Sequence, residues 1–168
     1  MSDTGLMAHL LGLDRERLAV GGMIGPLFEN FVVMELKKQI TWSVTKPQMF
    51  HFHTQTGQEV DIVLEDRSGN LVGIEVKASA TVHTHDFKGL RALAETTDRR
   101  FLRGVVLYTG TESIPFGESL TALPVQLLWQ WDAKIQDPIP MLLRTLSKKT
   151  KCSLPDLWYS RNVNAEDP

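Results

Sequence analysis

The chain is poor in cysteine: Cys152 is the single cysteine among 168 residues. One cysteine cannot form an internal disulfide framework or a cysteine-based zinc site, so both are excluded as the means of holding this chain together. No apolar run approaches the roughly 20 residues that a membrane-spanning helix needs. The N-terminus also lacks the basic start and apolar stretch of a signal peptide. These absences predict a cytoplasmic protein that makes no contact with a membrane.

The chain also lacks an excess of positive charge and a phosphate-binding loop. Lysine and arginine together number 18 against 20 aspartates and glutamates, which gives a net charge of -2. This balance excludes a basic nucleic-acid footprint over the whole chain, although a local basic groove would not show in the total. No segment matches G-x-x-x-x-G-K-[ST], the loop that cradles nucleotide phosphates. We therefore expect no nucleotide cofactor and no ATP binding by this chain alone.

Apolar periodicity predicts one α/β domain with a mixed sheet. The expected order is a helix, three strands, a helix and two further strands. The predicted helices cover 24–40 and 84–95, the second with Thr84 as a plausible N-cap. The predicted strands cover 49–54, 58–64, 71–77, 103–108 and 124–129, and the fourth is apolar enough to be buried on both faces.

The remaining segments flank this core. Residues 1–23 are assigned to a lead-in segment, with a small helix predicted between Leu6 and Leu13. Residues 24–147 are assigned to the domain, with a last helix predicted over 138–147. Residues 148–168 are assigned to a C-terminal tail that the composition predicts to be mobile.

The segment 58–77 predicts a β-hairpin with charged groups on its polar face. Two runs rich in Val and Ile flank a polar turn that contains glycine. If the turn centres on Ser68, Asp61 lies directly opposite Glu75, and Lys77 follows one side-chain period later. Like charges opposed across two strands destabilise a sheet, so a cation would be favourable at this position.

The same alternation allows a purely structural interpretation. It directs Val60, Ile62 and Leu64 to one face, and the charged residues then form an ordinary solvated face on which Lys77 pairs with Glu59. Glu29 falls inside the apolar arc of the first long helix, where an acid either reaches solvent at the edge of the arc or has a function.

These residues resemble a known family. Glu59-Val60-Asp61 and Ile74-Glu75-Val76-Lys77, after a helix that carries Glu29, resemble the PD-(D/E)XK nuclease superfamily. More narrowly, the chain is similar to the C-terminal domain of unknown function of bacterial and archaeal AAA-type ATPases. The matching stretches lie within about 3–130: Asp3–Leu6, Gly25–Val32, Glu35-Leu36, Gly57–Asp61, Gly73–Ser79 and Pro124–Trp129.

The resemblance implies a fold, a cofactor and roles for particular residues. The fold would be restriction-endonuclease-like, a central mixed sheet with αβββαβ core order flanked by helices. Asp61 and Glu75 would bind one or two Mg²⁺ or Mn²⁺ ions with the backbone carbonyl of Val76. Lys77 would position or activate the attacking water, and Glu29 would be the helix-borne acid. The implied activity is hydrolysis of phosphodiesters in DNA or RNA.

Two departures from the family keep other functions open. His53 stands where the family often has an arginine, so a substrate contact there would be weaker or pH-dependent. The ATPase and winged-helix segments that normally precede the family's domain are not in this sequence. The resemblance then implies that the chain is a truncated gene product, a stand-alone protein or a domain of a longer protein. The first alternative is a non-catalytic module that binds nucleic acid or regulates an AAA-type ATPase partner. The second is a protein-interaction domain with a vestigial site.

Overall fold

A computed structural model describes residues 3–14, 16–17, 22–43 and 45–129. The predicted helix over 138–147, the predicted tail and Cys152 lie outside the described residues. The helices are α1 (Thr4–Leu10), α2 (Ile24–Trp42) and α3 (Lys88–Thr97). The strands are β1 (Gln48–His53), β2 (Glu59–Glu65), β3 (Leu71–Lys77), β4 (Phe101–Tyr108), β5 (Ile114–Pro115) and β6 (Leu120–Pro124). Three short 3₁₀ helices cover Thr84–Phe87, Asp98–Arg100 and Val125–Trp129. No helix within these ranges has the length and apolarity needed to cross a membrane.

The strands form one mixed sheet in the order β1-β2-β3-β4-β6-β5. Strands β1 to β3 are mutually antiparallel, β4 runs parallel to both β3 and β6, and β5 is antiparallel to β6. The parallel pair β3–β4 is joined through α3, because parallel neighbours need a long crossover connection. The described residues thus confirm a mixed α/β domain, in which α2 to β4 follow the order αβββαβ.

The sheet is covered on both faces, and its central strands β3 and β4 are mostly buried. Helix α2 supplies Val32 and Leu36 to one cluster, and α3 supplies Leu90 and Leu93 to the other. Strand β4 is buried from Gly104 to Tyr108, as its apolar run predicts. Burial at about 25 cal/mol per Å² of apolar surface makes these two layers the main source of stability.

The β2–β3 hairpin has the predicted register. Ile62 pairs with Ile74 and Glu65 pairs with Leu71, which centres the connection on Ser68. The Asp66 carboxylate organises the connection, because Oδ1 accepts the N–H of Ser68 at 2.8 Å and Oδ2 accepts the Asn70 side-chain amide at 2.8 Å. Asp61 therefore belongs opposite Glu75, at the end of the hairpin that is far from the turn.

The predicted direction of Val60 is wrong. Phe50 pairs with Val63 and Phe52 pairs with Val60, so β2 has one more residue than β1 between these two pairs. Such a bulge locally breaks the strict alternation of side chains. Val60 consequently packs in the α3 cluster, whereas Ile62 packs in the α2 cluster.

Two further boundaries differ from the predictions. The strand predicted over 124–129 is a 3₁₀ helix, and the strand lies earlier, at β6. A 3₁₀ turn places positions i and i+3 on one side, and Val125 and Leu128 use it to enter the α2 cluster. At the start of the second helical segment, the cap is His83 and not Thr84, since the His83 N–H is bound by the Asp86 carboxylate at 2.7 Å.

Gly89 sets how closely α3 can approach β2. A Cβ at this position would lie 1.8 Å from the carbonyl oxygen of Glu59, which is a backbone atom that cannot move alone. Gly89→Ala should therefore destabilise the fold by roughly 1–3 kcal/mol, the usual cost of overpacking, and displace the segment that carries Asp61.

Gly25→Ala is the control, because a Cβ on Gly25 would meet nothing within 4 Å beyond its chain neighbours. Alanine is a better helix former than glycine by up to about 1 kcal/mol, but a Cβ on the residue before Pro26 disfavours helical backbone. These two effects oppose each other, so this change should cost less stability than Gly89→Ala. Urea unfolding of both variants measures the difference. Equal stability of Gly89→Ala and the unmutated protein would show that α3 and β2 are further apart than the structure has them.

Candidate functional site

Asp61, Glu75 and Lys77 meet where β2 separates from the end of β3. The Asp61 carboxylate accepts the Val76 N–H through Oδ2 at 2.7 Å. The Lys77 ammonium donates to Oε1 of Glu75 at 2.8 Å. Lys77 thus pairs with Glu75 along its own strand, and the alternative pairing with Glu59 is not the one formed.

Glu75 has a buried oxygen without a partner. Its side chain is 11% exposed, and Oε2 makes no hydrogen bond within the part of the chain that the structure describes. Buried polar atoms in proteins are nearly always hydrogen-bonded, so such an atom calls for an explanation. An oxygen that is desolvated and unpaired is available to a ligand.

The charged forms of both strand carboxylates are disfavoured at the site. Burial, and then the charge of Asp61, raise the pKa of the Glu75 carboxyl from 4.5 to about 7. Burial is also the main reason that the pKa of Asp61 is raised, although the hydrogen bond from Val76 opposes this. Burial alone would lower the pKa of Lys77, but its bond to Glu75 and the neighbouring carboxylates raise it, so the lysine stays charged.

Helix α2 brings Glu29 to the same region. Glu29 is exposed at the edge of the apolar face of α2. This is the first of the two alternatives that the sequence allows, an acid that reaches solvent at the edge of the apolar arc. Burial of part of the side chain, followed by repulsion from Asp61 and Glu59, raises the pKa of Glu29. Its charge is therefore coupled to those of Asp61 and Lys77.

The two histidines of β1 are placed differently. His53 is exposed and pairs with Glu59 in the β1–β2 register. His51 lies nearer the acids, with Nδ1 3.3 Å from the carbonyl oxygen of Asp61. The resemblance to the family points to His53. The sequence gives no sign that the His51 ring lies closer to the acids than the His53 ring, because the positions of the two rings depend on the bulge in β2.

The donor set is compatible with a hard divalent cation. Within the described ranges, no three His, Cys, Asp or Glu side chains form a ready-made cluster for a metal ion. Mg²⁺, however, is usually held by one or two carboxylates and retains several waters. Asp61 and Glu75 supply two carboxylates, and the unpartnered Oε2 of Glu75 is the kind of atom that such an ion satisfies.

The Val76 carbonyl is directed toward the same place. The N–H and C=O of one strand residue project to the same side of the strand. Because the Val76 N–H is bound by Asp61 on the β2 side, its carbonyl also faces that side and not β4. A main-chain oxygen can thus complete the two carboxylates as a third hard donor.

The fold and these residues define an α/β domain with a partly buried acid–lysine cluster at one end of a mixed sheet. Residues 24–128 match the model of a family described as a domain of unknown function, DUF4143. This match covers more than half of the chain, and the protein belongs to that family. The family is generally found with AAA-type ATPases, which confirms this part of the resemblance seen in the sequence. No curated protein and no solved structure matches the chain.

Proposed function

We propose that this protein is a Mg²⁺- or Mn²⁺-dependent phosphodiester hydrolase that acts on nucleic acid, with a restriction-endonuclease-like arrangement of its core. The observation that carries the proposal is the buried, unpartnered Oε2 of Glu75 beside a second carboxylate, Asp61. The αβββαβ order and the end-of-sheet position of the acids support the same assignment. Fold resemblance alone does not establish activity, so the proposal depends on the site.

Each residue has a distinct role in this proposal. Asp61, Glu75 and the carbonyl of Val76 would hold the cation, which polarises a phosphoryl oxygen and lowers the pKa of a bound water. The compact charge of Lys77 lies beside these acids, where it can stabilise negative charge that develops on the phosphate. Glu29 adds a carboxylate from α2 as a candidate for proton exchange with a bound water, and partial burial with the nearby acids raises its pKa above the ordinary value.

A second function is favoured by a separate observation. Because the family is generally found with AAA-type ATPases, the domain could act as a non-catalytic module that regulates such a partner. In that case the Glu75–Lys77 ion pair is a structural element, and the acids need not bind a cation. The two functions differ in whether the isolated chain binds a divalent metal.

Metal titration of the purified protein tests the proposed function directly. Calorimetry with Mn²⁺ should show saturable binding to the unmutated protein and its loss in Asp61→Ala. Glu95→Ala is the matched control, because Glu95 is an exposed acid on α3. Binding that persists in Asp61→Ala, or no binding by any of the three proteins, would count against the hydrolase and favour the regulatory module.

A further inference from the structure

A basic groove lies on the surface at the start of α3. It is open, has a volume of about 670 Å³, and its lining consists of His83, Thr84, His85, Lys88 and Arg91. Two cationic side chains and two imidazoles thus share one shallow surface depression, although the whole chain is weakly acidic. A total charge near zero does not predict such a local surface.

The local structure fixes the arginine of the basic groove in place. Arg91 donates from Nη1 to the carbonyl oxygen of Thr84 at 2.9 Å, and its guanidinium lies 5.9 Å from the centre of the Phe87 ring. A guanidinium has five N–H donors, so this bond orients the group and leaves other donors for a ligand. An arginine held in this way loses little side-chain entropy when it binds an anion.

The acid in the turn beside the basic groove, Asp86, is bound by residues of that turn. The Asp86 side chain is 12% exposed, and its Oδ2 accepts the His83 N–H at 2.7 Å. Its other oxygen lies 3.5 Å from Nε2 of His85. The carboxylate is therefore occupied by the turn itself, whereas Lys88 and both imidazoles are exposed.

The two imidazole rings form a small stacking surface. The rings of His83 and His85 are nearly parallel, with an angle of 13° and centroids 5.4 Å apart. Unpaired bases of single-stranded nucleic acid stack on exposed aromatic rings, and basic groups follow their phosphates. An acidic peptide would use the cations but has no flat ring to extend the stack, so a nucleic-acid strand fits the groove better.

The basic groove also adjoins the acid–lysine site. Gly89, which follows the groove residue Lys88, lies so close to β2 that a Cβ on it would be 1.8 Å from the carbonyl oxygen of Glu59, two residues before Asp61. We propose that the groove binds single-stranded nucleic acid next to the scissile phosphate, with Lys88 and Arg91 on the phosphates and the His83–His85 stack under a base. This inference rests on the proposed function, because it assigns the path by which a substrate strand reaches Lys77.

Fluorescence anisotropy with a labelled single-stranded oligonucleotide, in EDTA to prevent cleavage, tests the groove. The double variant Lys88→Gln/Arg91→Gln should bind about tenfold more weakly and lower the salt slope by roughly 1 to 2, one for each phosphate that the protein no longer neutralises. His83→Ala/His85→Ala should weaken binding about tenfold, because no ring remains for a base to stack on. If the double variant does not fold, Lys88→Gln alone takes its place, because it spares the Arg91–Thr84 bond. This single variant should also weaken binding, but to a smaller extent.

The matched control is Lys37→Gln/Arg67→Gln, which removes two exposed cations from α2 and the hairpin turn and should leave binding unchanged. Groove variants that bind like the unmutated protein would overturn the inference, and so would no binding of single-stranded DNA or RNA at all. Displacement of the oligonucleotide by polyglutamate at equal charge would also overturn it, in favour of an acidic protein partner.

Cleavage assays separate this inference from the proposed function. Groove-dependent binding without Mn²⁺-dependent cleavage would refute the hydrolase and leave the groove as a nucleic-acid site. Cleavage that is undiminished in the groove variants would refute the groove and leave the hydrolase.

Discussion

Lys77→Ala should reduce the turnover of Mn²⁺-dependent cleavage about a hundredfold, the usual effect of removing one electrostatic interaction with a transition state. Metal affinity should change less, because the cation is held by Asp61 and Glu75. An interaction that is made only in the transition state appears mainly in turnover. Asp61→Ala and Glu75→Ala should abolish both metal binding and cleavage.

The measurement uses single-stranded DNA, duplex DNA and RNA, each with Mn²⁺, and Lys37→Ala as a control for the removal of an exposed lysine. Cleavage that survives unchanged in Lys77→Ala and Asp61→Ala would come from a contaminant or another site. No cleavage of any substrate by the unmutated protein would leave the regulatory module as the better description.

Glu75→Gln should stabilise the metal-free protein at alkaline pH. The pKa of Glu75 is raised to about 7 in the folded state, against an ordinary value of 4.5. Between these values the folded state binds more protons than the unfolded state, so this carboxyl makes stability fall as pH rises through the window. A shift of one pKa unit corresponds to about 1.36 kcal/mol. The free energy of unfolding that is lost between the two pKa values is therefore at most about 3 kcal/mol.

Thermal unfolding from about pH 4 to about pH 9, a range that extends beyond both limits of this window, checks the prediction. The unmutated protein should lose stability toward alkaline pH, whereas Glu75→Gln should give a flatter curve. Mg²⁺ should restore stability at high pH in the unmutated protein but not in Glu75→Gln, because a bound cation replaces the missing partner of the carboxylate. Parallel curves for the two proteins would mean that Glu75 is not electrostatically strained.

The hairpin could be predicted because its determinants are local. Alternation of apolar and polar residues, together with a polar turn centred on Ser68, defines the register, and the register places Asp61 opposite Glu75. The direction of Val60 could not be predicted in the same way. It depends on a bulge in the pairing of β2 with β1, and a bulge is a property of two strands and not of one sequence run.

The features missed at the site arise from strand pairing and from the geometry of a turn. His51 approaches Asp61 only through the β1–β2 pairing. The basic groove forms because the chain makes a 3₁₀ turn before α3, so that His83 and His85 stack and lie near Lys88 and Arg91. Alternating histidines in the sequence describe a strand face equally well, so their spacing does not indicate a turn.

The bond between Gln39 and Leu128 has a consequence for folding. The Gln39 side-chain amide donates to the Leu128 carbonyl at 2.8 Å across 89 positions of sequence, and Val125 and Leu128 pack with α2. Helix α2 also packs on Ile62 and Ile74, which precede β6, so only part of its contact surface comes from the end of the domain. We therefore expect the packing of α2 to be completed only after β6 has joined the sheet, since contacts of long sequence separation slow folding. A nascent chain that ends before β6 would carry α2 and the Asp61–Glu75 hairpin with this last part of the helix cover missing.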